Sequence, residues 1–284
     1  MGRAVPALLD ELRRLGFSEG QNLTMDRSTN KPVAQFALDL ADIVRAKPDV
    51  IVSNGAEPQL QAVIPVSGLI PIVFWANNFD PIERGYVKSL ARPGGNLTGV
   101  FTRQPELAEK QVELLTQTFP DRTRLGALWD AGTADQFSAA ERRVRALGRD
   151  LIAVKLETTP YDFAAAFRTL ADARSQALVV LSGPTFTPHQ KTIAELALQY
   201  RLPGIFVLRN YVDVGGLMSY GVDVDASWRR VAHFVAKILN GAQPGDLPVE
   251  QPVKYELVVN LKTAKAIGIE LPTSLLLRAD EVIE

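Results

Sequence analysis

Between Pro48 and Val63 the chain reads PDVIVSNGAEPQLQAV. A short apolar run, Val50–Val52, leads into Ser53, Asn54 and Gly55, and an apolar-spaced segment follows. That order describes a buried strand that breaks into a small polar loop ahead of a helix. The pattern returns along the chain. Strands are predicted at IPIVFWA (70–76), LTGVF (97–101), RLGALWD (124–130), IAVKLET (152–158), ALVVLSG (177–183) and GIFVLR (204–209). Helices are predicted over 32–46, 105–119, 134–149, 161–173 and 188–200. Runs such as VIVS, IVFW and LVVL are almost wholly apolar, as strands covered on both faces must be. The expected fold class is α/β, with two parallel-sheet, Rossmann-like lobes.

Three further stretches carry local expectations. QNLTMDRS (21–28) reads as a strand and PIERGYVKSLA (81–91) as a helix. Pro93 followed by Gly94 predicts a turn with glycine at positive φ. At the start, Val5, Leu8, Leu9, Leu12 and Leu15 fall at helical spacing between charged residues. The N-terminal stretch therefore reads as an amphipathic helix and not as a secretory leader.

Composition narrows the chemistry. The 284 residues, 46% hydrophobic and 22% charged, are enough for two domains with substantial cores. Lysine plus arginine number 31 against 32 acidic residues, a formal charge of −1. No long run of either sign occurs, so nucleic acid and anionic membrane lack electrostatic footing as partners. The absence of cysteine removes disulfides, thiolate nucleophiles and thiolate metal sites together. No segment approaches the roughly 18 apolar residues that span a bilayer.

Motifs for catalysis are missing. The chain has no G-x-S-x-G elbow, no G-x-G-x-x-G fingerprint and no G-x-x-x-x-G-K-[ST] loop. Its two histidines, His189 and His233, stand apart without metal-ligand spacing, so neither a metal nor a cofactor is expected. His233 lies among Arg229, Arg230 and apolar neighbours and reads as structural. His189 follows a strand end and is either a surface residue or a ligand contact.

In an open parallel sheet, ligands sit beyond the carboxyl ends of the strands, where loops converge and helix N-termini point. The loops there read SNGAEP, WANNFDP, WDAGTADQ and SGPTFTPH. They carry the acids Glu57, Asp80, Asp130 and Asp135, of which Asp80 also suits a helix N-cap. Trp75 and Trp129 end strands and are either stacking surfaces for a ligand or core rings. Trp228 falls on an apolar helix face with Val231 and Val235 and reads as packing.

The elements LRRLGFSEGQNLT (12–24), SLARPGGNLTGV (89–100), LMSYG (217–221) and LPVEQPVKYELVVNLKTAKAIG (247–268) then identify a relationship. The chain strongly resembles bacterial ABC transporter substrate-binding proteins of the tryptophan/tyrosine type. The resemblance implies a type I periplasmic-binding-protein fold, two lobes joined by a three-crossover hinge, with ligand in the cleft. Residues 1–100 plus 216–250 would form the N-terminal lobe and 101–210 plus 253–284 the C-terminal lobe. The hinge would lie near 99–103, 209–215 and 251–254. Ligand contacts implied by the family are Ser53, Asn54, Gly55, Asn77, Asp80, Trp129, Asp130, Ser182, Gly183 and Tyr220, beside Glu57 and Trp75 from the strand-end argument.

The resemblance further implies a leader and a central first strand upstream of the residues quoted, flanked by NLTMD and VIVS. On that reading the strand is expected to be missing from the chain as quoted, through a truncated start or a rearranged lobe. The expected protein is a monomeric, non-enzymatic receptor for a small polar solute such as an amino acid, serving an ABC permease. Its expected location is periplasmic, or lipid-anchored outside the cytoplasm. The alternatives are a cytoplasmic sensor of the same fold and an α/β transferase.

Overall fold

The computed structural model of the chain describes residues 4–26, 33–55, 57–76, 79–181, 183, 185–252 and 254–284. In chain order the elements are α1 (Ala4–Arg14), α2 (Val33–Arg45), β1 (Ile51–Gly55), α3 (Glu57–Ser67), β2 (Ile72–Ala76) and β3 (Leu97–Phe101). There follow α4 (Gln104–Thr118), β4 (Arg124–Asp130), α5 (Ala134–Ala146), β5 (Asp150–Leu156), α6 (Phe163–Asp172), β6 (Ala177–Val180), α7 (Gln190–Gln199) and β7 (Gly204–Phe206). The chain then runs through α8 (Arg209–Asp213), β8 (Met218–Val222), α9 (Val224–Leu239), β9 (Tyr255–Asn260), α10 (Leu261–Ile267) and β10 (Glu281–Ile283). They divide into two units, Met1–Arg103 with Asp223–Lys254, and Gln104–Val222 with Tyr255–Glu284.

The first unit holds a parallel sheet in the order β1-β2-β3. All five residues of β2 are buried, because the strand is paired on both edges and covered on both faces. Alternation sends Phe74 into a core with Leu40, Leu60, Val63 and Phe101, and Trp75 the other way onto Trp228 of α9. Helix α1 packs along α9, and Glu11 of α1 lies 3.2 Å from His233 Nε2. Among the described residues β1 is paired on one edge only.

Two local expectations are corrected here. QNLTMDRS forms no strand in its described part, where Leu23 makes one isolated bridge to Glu19. The chain folds back on itself instead: Asn22 Oδ1 accepts from the Ser18 N–H at 2.8 Å, and Asn22 Nδ2 donates to the Gly16 carbonyl. PIERGYVKSLA forms turns, not a helix. Asp80 Oδ1 accepts from the Ile82 and Glu83 N–H groups, and Gly85 at φ 73° ends the single turn. Gly94, at φ 65°, takes the positive torsion expected after Pro93.

The second unit is a seven-stranded sheet in the order β10-β9-β8-β7-β6-β4-β5. Among the described residues only the β8–β9 pair of this sheet is antiparallel. One face carries Val112 and Leu115 of α4 and Ala140 and Val144 of α5. The other carries Phe163 and Phe167 of α6 and Ile193 and Ala197 of α7. Asn260 caps α10 by accepting from the Thr263 N–H at 3.0 Å, and Gly268 ends it in the left-handed region at φ 75°.

The placement of the strand LMSYG also needs correction. It was expected in the first lobe, after a crossing at 209–215. Met218–Val222 instead belongs to the seven-stranded sheet, between β7 and β9, with five residues in register against Tyr255–Val259. That ladder satisfies backbone groups a transfer would leave unpaired. The chain passes between units at Arg103–Gln104, Val222–Asp223 and Lys254–Tyr255. The last two passages are tied within the first unit, where Lys254 Nζ donates to Asp223 Oδ2 at 2.8 Å and the Asp223 N–H to the Lys254 carbonyl.

Gly99 is required by space as well as torsion. A Cβ there would lie 2.0 Å from the Phe74 carbonyl oxygen, and its φ is 153°. Gly99→Ala is expected to lower stability by about 3 kcal/mol, seen as a lower urea midpoint at unchanged m-value. An unshifted midpoint would contradict the close approach of β2 and β3.

Candidate functional site

The strongest site in the second unit grows from the last two residues of β4. Side chains alternate, so Leu128 and Asp130 face the α6 side while Trp129 faces α5. Trp129 stacks on Phe137 at 4.2 Å and 8°, with Lys155 Nζ 5.5 Å from its ring. One face is thus committed to Phe137, while its indole N–H is buried without a hydrogen-bond partner among the described residues.

Asp130 is only 2% exposed, yet among the described residues no lysine or arginine pairs with it. Hydroxyls surround it instead. Oδ2 accepts from Tyr161 at 3.1 Å and from Thr185. Thr133 accepts from the Asp130 N–H at 3.1 Å and holds its own hydroxyl 3.1 Å from the Asp130 carbonyl and 3.3 Å from Oδ1. A carboxylate buried this far needs hydrogen bonds or a counter-charge. Neutral donors supply the first, and the second is missing.

The remaining strand ends of that edge complete the picture. Gly183 follows β6, and its carbonyl accepts from the Phe186 N–H at 3.1 Å, closing the turn that presents Thr185. Tyr220 of β8 stacks on Tyr255 at 6.0 Å and 16°, both half-buried, and Gln111 Nε2 donates to the Tyr220 carbonyl at 2.8 Å. His189 is exposed, 5.1 Å from Phe163.

In the first unit the expected residues are differently engaged. Ser53, Asn54 and Gly55 were expected in a loop, but they complete β1, in register with Phe74, Trp75 and Ala76, and Ser53 is buried. Parallel pairing with β2 extends the strand over them. Trp75 is a core ring, 6% exposed, edge-to-face with Trp228 at 5.5 Å and 81°. Glu57 opens α3, where its Oε1 accepts from Tyr86 at 2.9 Å and lies 3.0 Å from Arg84 Nε. Burial, then Glu57, pushes the Tyr86 phenol above its ordinary value. Asp80 takes its turn-capping role. Asn77 and Ser182 lie outside the described residues.

Tyr161, Thr185 and Thr133 are the partners of Asp130 that sequence reasoning missed. Thr133, three residues after Asp130, carried a local signal, since a Thr at that spacing can close a turn on an Asp. Tyr161 and Thr185 are 31 and 55 residues away from Asp130 and carried none. No group of three or more acidic or histidine side chains among the described residues is placed to share a metal ion.

Comparison with known proteins gives this geometry a setting. A family model described as "ABC transporter substrate binding protein" matches residues 1–283. The chain is 22% identical over 281 residues to the tyrosine-binding protein of Clostridioides difficile strain R20291, covering 95% of this chain and 78% of that protein. A solved conserved domain protein from Vibrio cholerae superimposes with a TM-score of 0.88 at 29% identity, over 99% of this chain and 94% of that one. The ABC domain from Streptococcus pneumonia in complex with L-Trp superimposes at 0.87 with 25% identity, over 99% and 95%. These establish the type I periplasmic-binding-protein fold.

Burial raises the pKa of the Tyr161 phenol above 10.0, and the Asp130 charge and hydrogen bond add to the shift. A group whose folded pKa exceeds its unfolded one contributes stability that is complete below the unfolded value and lost as pH rises through the folded value. Wild-type stability is therefore expected to decline above about pH 10 more steeply than that of Tyr161→Phe, in urea melts across that range. Parallel profiles would separate Tyr161 from the Asp130 charge.

Proposed function

This chain belongs to the ABC transporter substrate-binding protein family, and from that premise we propose that it is the receptor for an amino acid with an aromatic side chain. One observation carries the choice: Asp130, a buried carboxylate at a strand end with hydroxyl partners and, among the described residues, no basic one. The α-ammonium of an amino acid supplies the missing charge. A sugar cannot, and a simple carboxylate would be repelled.

The aromatic part of the reading rests on two supports. Tyr255 lies opposite Val222, at the carboxyl end of β8, and stacks with Tyr220 on the sheet edge where β4 also ends. Half-buried aromatic rings supply stacking area at low entropy cost. The names of two relatives, one tyrosine-binding and one solved with L-Trp, point the same way.

Such a receptor works by population shift. Ligand moves the protein between conformers by the difference in its affinity for them, and a membrane permease reads the conformer. The working compartment in this proposal is outside the cytoplasm. A receptor needs no nucleophile and base, and His233 is engaged with Glu11. Among the expected contacts, the reading retains Asp130, Gly183 and Tyr220, adds Tyr255, and leaves Trp129 a supporting role.

Calorimetric titration with L-tryptophan, L-tyrosine, L-phenylalanine, L-glutamate and a panel of sugars tests this. One or more aromatic amino acids are expected to bind at about micromolar Kd, or about 8 kcal/mol. Asp130→Ala is expected to weaken that binding by at least about tenfold. Tight binding of a sugar, or undiminished binding by Asp130→Ala, would overturn the proposal.

A further inference from the structure

Two of the chain's passages between units are joined to each other within the first unit. Asp223 begins the second segment of that unit and Lys254 ends it. The residues next to them, Val222 and Tyr255, face each other as the last antiparallel pair of β8 and β9. The Asp223 N–H donates to the Lys254 carbonyl at 3.1 Å, so the ladder continues one rung beyond the sheet.

The side chain of Asp223 reinforces that rung. Oδ1 accepts from the Ala226 N–H at 2.9 Å and caps α9, while Oδ2 accepts from Lys254 Nζ at 2.8 Å. Burial pulls the Asp223 carboxyl up, but Lys254, the Ala226 N–H and Arg229 outweigh it and hold the group below the ordinary carboxylate range. About two turns further along α9, Arg230 meets both oxygens of Glu250. Glu250 is itself pinned to β3, since its N–H donates to the Gly99 carbonyl at 2.9 Å and its carbonyl accepts from the Phe101 N–H at 2.9 Å. The stretch 250–254 is therefore tied to α9 and its cap by an ion pair at each end.

We infer that the Asp223–Lys254 ion pair is a clasp that holds these two passages as one ribbon and, by restricting their motion in the free protein, raises its affinity for ligand. The inference rests on the receptor reading above, and it assigns a role to two residues that need not touch the ligand. The physical reason is entropic. Passages that bend independently must be ordered when ligand is bound, and that cost is subtracted from the affinity. Held as a ribbon, they are ordered beforehand. Lys254 leaves 59% of its side chain exposed against 15% for Asp223, so the pair adds little to global stability. Its effect belongs in binding and in local motion.

Asp223 and Lys254 are thus positioning residues. Three variants separate the ion pair from the other contacts: Lys254→Met removes the charge and keeps an unbranched stem, Lys254→Arg retains the charge, and Asp223→Asn keeps the α9 cap acceptor without it. In amide hydrogen exchange on the ligand-free full chain, the Asp223 N–H is expected to exchange at least about threefold faster in Lys254→Met and at the wild-type rate in Lys254→Arg. Calorimetry with L-tryptophan, L-tyrosine and L-phenylalanine is expected to show about fivefold weaker binding by Lys254→Met and by Asp223→Asn, with the loss in the entropy of binding. The double variant is expected to be no weaker than either single one, because both remove the same pair. Melting temperatures are expected to stay close to wild type.

The two levels fail differently. If wild type binds none of the three amino acids, the receptor reading above falls and takes the inference with it. Should wild type bind while Lys254→Met exchanges at the wild-type rate, or binds as tightly as wild type, the inference alone is overturned. It is likewise overturned if Lys254→Arg loses as much affinity as Lys254→Met, which would assign the effect to the lysine stem, or if the two single losses add in the double variant.

Discussion

Strand β4 is paired in parallel on both edges, to β5 and to β6, and the second unit is organised by that fact. Parallel sheets are covered on both faces, and here α4 with α5 covers one while α6 with α7 covers the other. Alternation then leaves no choice about direction: Trp129 turns to Phe137 and Asp130 to Tyr161 and Thr185. Parallel pairing also brings the carboxyl ends of β4, β6, β7 and β8 to one sheet edge. Residues far apart in sequence, Asp130, Gly183 and Tyr255 among them, reach that edge for the same reason. In the first unit β2 obeys the same rule and sends Trp75 onto Trp228.

The site that results is defined by an unsatisfied electrostatic requirement. Burial strips Asp130 of water, and three hydroxyls return hydrogen bonds but no charge. Neutral donors suffice to keep such a group in place while leaving its negative potential uncancelled. This is the condition a receptor needs, because a resident lysine or arginine would fill the position before any ligand arrived. Elsewhere acids are paired: Glu57 with Arg84, Asp223 with Lys254 and Glu250 with Arg230.

The sheets were legible because apolar runs such as IVFW and LVVL have one physical explanation, coverage on both faces. The misreadings share another cause. In QNLTMDRS and PIERGYVKSLA, the side chains of Asn22 and Asp80 closed local turns that outcompeted the regular element. LMSYG was assigned by resemblance to the wrong sheet, since five apolar-patterned residues fit either and register decides. At the site, position along the strand was readable but partners were not. Glu57, Trp75 and Trp129 stand at strand ends as expected, and neighbours already occupy them. Tyr161 and Thr185 come from loops after other strands, and only the folded sheet brings them to Asp130.

The central claim is that the buried Asp130 carboxylate is the group that a ligand's ammonium meets. A crystal structure of the chain with bound L-tryptophan or L-tyrosine tests it most directly. The account predicts the ligand nitrogen within about 3 Å of an Asp130 carboxylate oxygen. A ligand whose nitrogen lies away from Asp130, with the Asp130 surroundings unchanged, would contradict it.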